Sequence, residues 1–283
     1  MISEGKSMIL IFFLQIAAGG TATLLLTPVV EKVGGSFYRM MACIYAAAVA
    51  LAMGMAMMVG HSSLATKLLI SPLLSSSAGP LVLWVFGGMF LSVAIITLVQ
   101  ARPMRTWIWG LLAAGGFLAL LDVVPLFIPA DAYRLVPLFH TASIVTSAVS
   151  LGAAISALLL GHWYLVTPAL SIGHLQRLVL LMGISLAVQA VLLVGGLLSA
   201  AQGADAELVR LMVARPNFDA LCFWVRVVVG LFGGIILAAM AWRTLSRYRQ
   251  TQAATGILYV AAIVILIGEA TGRYLLAFRQ LPL

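Results

Sequence analysis

The stretch Ile265–Phe278, ILIGEATGRYLLAF, places two charged side chains inside an otherwise apolar run. Glu269 and Arg273 are four residues apart, so in a helix they lie on one face. Gly268 and Gly272 have the same spacing on the neighbouring stripe, where small residues let a second helix approach closely in lipid. The stretch therefore predicts a buried helix that must accommodate an acid and a base beside a close helix contact.

The composition of the whole chain is that of a membrane protein. Of its 283 residues, 63% are hydrophobic and 8% are charged, whereas a water-soluble domain carries about a quarter charged residues. Apolar runs of roughly 20 residues, enough to cross hydrocarbon, recur along the sequence. Helices are the spanning form that suits such long continuous runs. We predict an all-α integral membrane protein with one transmembrane domain over residues 1–283.

Eight apolar runs are predicted to cross the bilayer. The first differs from a cleaved signal peptide because it is long and follows Glu4 as well as Lys6. A division into two four-helix halves around residues 130–135 is compatible with the pattern. The predicted spans are Met8–Val30, Phe37–Val59, Pro80–Val99, Thr106–Val124, Val136–Leu160, Leu175–Leu198, Asp219–Trp242 and Ala254–Phe278.

The net charge of +8 does not indicate a nucleic-acid partner, because the basic residues are scattered through short loops. Such charges orient the chain and contact lipid headgroups. The clearest Lys/Arg excess is in ARPMRTW (101–107) and WRTLSRYRQ (242–250). The positive-inside rule places these two connections in the cytoplasm. With an even number of helices, both termini are then expected on the extracytoplasmic side.

Most of the charge within the predicted spans lies toward that extracytoplasmic side. Glu269 is roughly 14 Å below the outer end of the last span, at 1.5 Å per residue. A charge at that depth costs several kcal/mol unless it is paired or hydrated. The other polar side chains expected in the same half are Arg226, Asp122, His61, His140, Gln15 and Thr21.

Two interpretations of these residues remain open at this point. Glu269 pairs with Arg226 or Arg273 and serves to hold helices together, or the residues form a pocket for a molecule that exchanges protons. A quinone fits such a pocket. Its carbonyl groups need hydrogen-bond donors, its ring needs an apolar slot, and a histidine and a carboxylate can carry its protons.

Four patches of the sequence resemble one family of membrane subunits. GEATGR (268–273) in the last span resembles the membrane-anchor subunit of dimethyl sulfoxide reductase, which is grouped with the polysulfide and nitrite reductase anchors. The other three patches are FFLQIAAGGTATLLL (12–26), MACIYAAAVALAMGMAMMVGH (41–61) and FDALCFWVRVVVGL (218–231).

The resemblance implies an eight-helix anchor subunit in the cytoplasmic (inner) membrane of a bacterium, without a haem or iron–sulfur cluster of its own. Such an anchor exchanges electrons between a quinone, menaquinone or ubiquinone, and an iron–sulfur subunit that serves a molybdenum catalytic subunit. His61 and Arg226 would then donate to the quinone, with Glu269 and Asp122 as proton acceptors toward the outer water. Arg273 and Gln15 would complete the quinone site.

One segment has no counterpart in that family. LLGHWYLVTPALSIGHLQRL (159–178) places His162 and His174 near the predicted inner side. They indicate either an aromatic interfacial anchor with ordinary histidines or the axial ligands of a haem b. His61 with His140 would be a second haem pair. A haem-binding electron-transfer subunit, a proton-coupled small-molecule transporter and a purely structural subunit remain alternatives to the quinone-binding anchor.

The two cysteines, Cys43 and Cys222, both fall within apolar spans and match no zinc or iron–sulfur spacing. We therefore expect two buried thiols that act as small hydrophobic side chains, and no iron–sulfur cluster held by this chain.

Overall fold

The computed structural model describes residues 2–26, 35–59, 81–100, 106–123, 136–167, 170–201 and 217–279. Within these ranges the chain forms eight helices and no strand. We number them α1 (Ile2–Leu26), α2 (Gly35–Val59), α3 (Leu81–Gln100), α4 (Thr106–Val123), α5 (Val136–Val166), α6 (Gly173–Ala201), α7 (Phe218–Tyr248) and α8 (Thr251–Arg279).

Six of these helices are long and apolar enough to cross a membrane: α1, α2, α5, α6, α7 and α8. The apolar parts of α3 and α4 are shorter, Trp84–Leu98 and Trp107–Leu121. The predicted all-α membrane class is therefore confirmed, and the chain has the helices of a multi-pass membrane protein. Eight crossings and the location of the termini stay predictions.

Several helices extend beyond the predicted spans. α1 begins at Ile2 rather than Met8, and α5 continues to Val166 rather than ending at Leu160. His162 therefore lies within α5 instead of just beyond it. The helices are longer than the predicted spans because hydropathy marks only the apolar part of a helix. The backbone hydrogen bonds continue through polar residues at either end.

The helices contact one another in two four-membered rings. In the first ring α1 packs against α2 and α4, and α3 packs against both α2 and α4. In the second ring α5 packs against α6 and α8, and α7 packs against the same two helices. α1 also contacts α5 and α8, so it joins the rings. This pattern agrees with the division into halves around residues 130–135.

Glycines bring the backbones of two helix pairs into contact. A Cβ atom on Gly19 of α1 would lie 1.6 Å from the carbonyl oxygen of Ala148 in α5, and one on Gly152 would lie 2.1 Å from the carbonyl carbon of Gly19. In the second ring, a Cβ on Gly268 would lie 2.3 Å from the Cα of Gly230. The close approach predicted beside Glu269 is therefore present at Gly268.

A tight turn connects α7 to α8. Arg249 ends α7 in the left-handed conformation, with φ of 53°, and Gln250 is the residue between it and the first residue of α8. The backbone N–H of Gln250 donates to the carbonyl of Thr244 (3.4 Å), and its own carbonyl accepts from the N–H of Ala254 (3.1 Å). The turn thus closes one helix and opens the next with no intervening loop.

The expectation for the cysteines is wrong in one case. Cys222 is buried, but Cys43 is exposed on the surface of α2. The reason is that α2 is apolar all round, so its sequence does not distinguish the face that packs on other helices from the face that meets lipid.

A pair of glycine substitutions on α8 tests the α7–α8 contact. We expect Gly268→Ala to lower the thermal unfolding midpoint of the purified protein in detergent, because overpacking costs about 1–3 kcal/mol. Gly256→Ala is the matched control, since nothing lies within 4 Å of a Cβ there. Equal midpoints for the two variants would contradict the contact.

Candidate functional site

Glu269 is the centre of a buried polar cluster. Its carboxylate is fully enclosed, and its Oε1 lies 2.9 Å from Nη1 of Arg226 on α7. Its Oε2 lies 3.5 Å from Nη2 of Arg273, one turn further along α8. Both arginines are themselves 1% exposed. Glu269 and Arg273, which share one face of α8, are thus joined by Arg226 from α7.

Two serines of α5 also donate to the carboxylate. Ser147 Oγ donates to Oε2 of Glu269, and Ser150 Oγ donates to Oε1 at 3.4 Å. Arg273 Nη2 donates in turn to Ser147 Oγ at 3.1 Å. Both carboxylate oxygens of Glu269 are therefore occupied by one hydroxyl and one guanidinium each.

Gln189 connects the cluster to α6. Its amide nitrogen donates to Ser150 Oγ (2.6 Å) and to the carbonyl of Thr146 (3.2 Å), and its Oε1 accepts from Arg226 Nη2 (2.5 Å). The network thereby touches every helix of the second ring. We call the set the Glu269 cluster; its members are Ser147, Ser150, Gln189, Arg226, Glu269 and Arg273.

Arg226 comes from an irregular part of α7. Residues Val225–Gly233 form a π-helical segment between regular α-helical turns, a feature that is frequent at functional sites. Arg226 and Gly230 are both buried within this segment. Gly230 packs on Gly268 while Arg226 pairs with Glu269, so the close approach and the ion pair lie within about one turn of each other on both helices.

The members of the cluster lie well inside the helix ends. Counted at 1.5 Å per residue from the start of α5 and α7 and from the end of α6 and α8, they are roughly 9–21 Å inside those ends. These four ends are on the side of the C-terminus. In a bilayer whose hydrocarbon is about 30 Å thick, that depth is near the middle.

The charges of the cluster do not cancel. Within the described part of the chain, Glu269 is the carboxylate that pairs with Arg226 and Arg273. Two guanidinium groups and one carboxylate leave one positive charge in excess. Buried charge is costly unless it is compensated and hydrogen-bonded, so the excess favours a negatively charged or electron-rich neighbour.

Several buried polar atoms near the cluster have no hydrogen-bond partner among the residues that the structure describes. They are Nε of Arg226, Nε of Arg273, Oε1 of Gln15, and both ring nitrogens of His140. Buried polar groups are nearly always paired. Such atoms also occur elsewhere in the described residues, as at Tyr38, Trp109 and Trp163, but here they accompany a buried excess charge, and that combination marks the cluster as a candidate binding site.

The predicted site residues divide into three groups. Arg226, Glu269 and Arg273 are brought together. Gln15 is fully buried on α1 but donates from Nε2 to the carbonyl of Ile144 on α5 (2.9 Å) and is not a member of the cluster. His61, and the side chain of Asp122 at the end of α4, lie outside the described residues.

The histidines proposed as haem ligands occupy different environments. His162 is exposed on α5, and its Nδ1 is 3.1 Å from the hydroxyl of Tyr259 on α8. His174 is buried near the start of α6. The ring of Trp163 packs edge-on against Phe37 of α2, with centroids 5.7 Å apart. Trp163 thus packs against α2, and both interpretations of the segment stay predictions.

Sequence analysis missed Ser147, Ser150 and Gln189. Hydroxyl groups in apolar helices usually bond their own backbone, as Thr146 does with the carbonyl of Ala142 (2.7 Å), so serines give little signal. Gln189, an amide inside the apolar run LAVQAVL, is the residue that could have been found.

No model of a known protein family matches the sequence, and no curated protein matches it significantly.

The charge imbalance predicts unequal effects of removing its members. Glu269→Gln should be the more destabilising change, because it leaves two buried guanidinium groups without a carboxylate; breaking a buried pair costs about 3–5 kcal/mol. Arg226→Gln should cost less, because Arg273 and Glu269 remain as a neutral pair. Thermal unfolding in detergent measures both, with the exposed Arg247→Gln as control. A larger loss for Arg226→Gln than for Glu269→Gln would refute the imbalance.

Proposed function

We propose that the chain is the quinone-binding membrane-anchor subunit of a respiratory molybdenum-type oxidoreductase. It would pass electrons between the quinone pool and an iron–sulfur partner subunit. The observation that carries this proposal is the Glu269 cluster, with its excess positive charge and unpaired donors among apolar helices.

The chemistry of the cluster suits a quinone better than a water-soluble ligand. Both guanidinium groups present N–H donors and no acceptor. Quinone oxygens accept such bonds and gain negative charge on reduction, which preorganised cations stabilise. The surrounding helices offer an apolar environment for the ring. A lipid-soluble molecule can reach that depth from the bilayer, without a hydrated path.

The arginines and Glu269 take different roles in this proposal. Arg226 and Arg273 retain an unpaired Nε each and serve as donors to the quinone. Glu269 has both oxygens occupied by Ser147, Ser150 and the two arginines. Glu269 therefore positions the two arginines in this proposal. It does not serve as the proton acceptor that we expected from the sequence. Proton transfer toward the outer water is left to His61 and Asp122.

The motif that carries the family resemblance gains a physical meaning here. In GEATGR, Gly268 admits α7, Glu269 joins the helices of the second ring, and Arg273 adds the second base. The iron–sulfur and molybdenum subunits remain part of the proposal, because electrons that leave a quinol need an acceptor and electrons that reduce a quinone need a donor.

The composition of the purified protein tests the proposal directly. The chain, expressed in a bacterial membrane and purified in mild detergent, should retain extractable menaquinone or ubiquinone and show no haem band in its visible spectrum. It should also co-purify with an iron–sulfur subunit when the two are expressed together. A haem band would instead identify a haem-binding subunit. If the protein held neither quinone nor haem and drove proton-coupled uptake into vesicles, it would be a transporter.

Substitution of a donor should remove the quinone selectively. We expect the molar ratio of bound quinone to protein to be at least tenfold lower in Arg273→Gln than in wild type. The substitution removes one of the two guanidinium groups that have an unpaired donor. Arg243→Gln, an exposed change on α7, should retain it. Lipid extraction and chromatography measure the ratio. Equal quinone content in the two variants would exclude the cluster as the quinone site.

A further inference from the structure

His140 is the most isolated polar side chain of the second ring. It lies on α5, its ring is 0% exposed, and neither Nδ1 nor Nε2 has a hydrogen-bond partner among the described residues. A neutral imidazole always carries one donor and one acceptor. Leaving both unpaired away from water costs free energy, so the imidazole requires a partner beyond the residues that the structure describes.

The surroundings of His140 contain other unpaired groups. Helices α1, α5 and α8 contact one another pairwise, and His140 shares one face of α5 with Ile144 and Ser147. Gln15 of α1 bonds the carbonyl of Ile144 through Nε2, which leaves its Oε1 unpaired. Arg273 of α8 bonds Ser147 and has an unpaired Nε.

These three side chains come from three helices that pack against one another, and Gln15 and Arg273 each bond α5 close to the face that carries His140. We call Gln15, His140 and Arg273 the α1/α5/α8 seam. We propose that the seam holds the ring oxygen of the quinone, with His140 as its direct hydrogen-bond partner. The inference rests on the proposed function and adds to it a location and a residue that the family resemblance does not indicate.

The donors and acceptors of the seam fit both redox forms of the ligand. A quinone oxygen accepts hydrogen bonds, which Arg273 Nε and one ring nitrogen of His140 can donate. A quinol hydroxyl also donates, and Gln15 Oε1 or the second ring nitrogen of His140 can accept. Among the unpaired atoms, Arg273 Nε can only donate and Gln15 Oε1 can only accept, whereas the two ring nitrogens of His140 supply one donor and one acceptor. This property explains why a histidine occupies the position.

The same geometry separates ligand binding from a structural role. If His140 has no ligand, replacing it with an apolar side chain removes an unpaired polar group and should preserve or raise stability without affecting quinone. If it binds the quinone, the same replacement should preserve stability and abolish binding. An ordered water in place of the ligand would likewise leave quinone binding unchanged in the variant.

The experiment uses the full chain reconstituted in lipid nanodiscs. Wild type, His140→Leu, His140→Gln and His162→Leu are titrated with a short-tailed naphthoquinone and a short-tailed benzoquinone by tryptophan fluorescence quenching. We expect His140→Leu to bind at least tenfold more weakly and His140→Gln at least threefold more weakly. His162→Leu, on the same helix but exposed, should bind as wild type does. Added quinone should raise the unfolding midpoint of wild type and not of His140→Leu.

The outcomes distinguish the two proposals. If wild type binds neither quinone, the proposed function fails, and the seam assignment fails with it. If wild type binds and His140→Leu binds equally well, the seam assignment is overturned while the proposed function stands. Should His140→Leu not fold, His140→Gln decides, and an unchanged affinity there would overturn the assignment.

Discussion

The second ring of helices depends on one electrostatic constraint, which is that a carboxylate placed deep among apolar side chains must be fully bonded. Glu269 meets it with two guanidinium groups and two serine hydroxyls drawn from α5, α7 and α8. Gln189 then brings in α6 through Arg226. Each bond specifies a rotation and a depth for one helix. Apolar packing in lipid is weakly directional by comparison, so these bonds define the register of the bundle.

Glycine makes that constraint geometrically attainable. Gly230 and Gly268 allow α7 and α8 to touch at the backbone, and the neighbouring residues Arg226 and Glu269 can then pair. On the other side, Gly19 and Gly152 bring α1 against α5. The polar cluster and the α1/α5/α8 seam thus lie between two close helix crossings. Small residues and charged residues are parts of one arrangement rather than separate signals.

Some of this arrangement follows from the sequence alone. The spacing of Glu269 and Arg273 predicts a shared face, which the structure confirms, while the predicted depth of Glu269 in the bilayer stays a prediction. The contact with Arg226 depends on the register between helices, which no local pattern encodes. Ser147 and Ser150 were missed because hydroxyls in lipid usually bond their own helix. The exposure of Cys43 could not be predicted, since a uniformly apolar helix conceals its packing face.

The turn at Arg249 and Gln250 has a consequence for how the chain enters the bilayer. Because α7 ends where α8 begins, the two form a helical hairpin whose arms are held in register by the connection itself. Arg226 and Glu269 then face each other within one local unit, and their charges can neutralise before distant helices assemble. Insertion of this hairpin as a pair avoids carrying a bare carboxylate through hydrocarbon. The last two helices thus supply their own counter-ion during biogenesis.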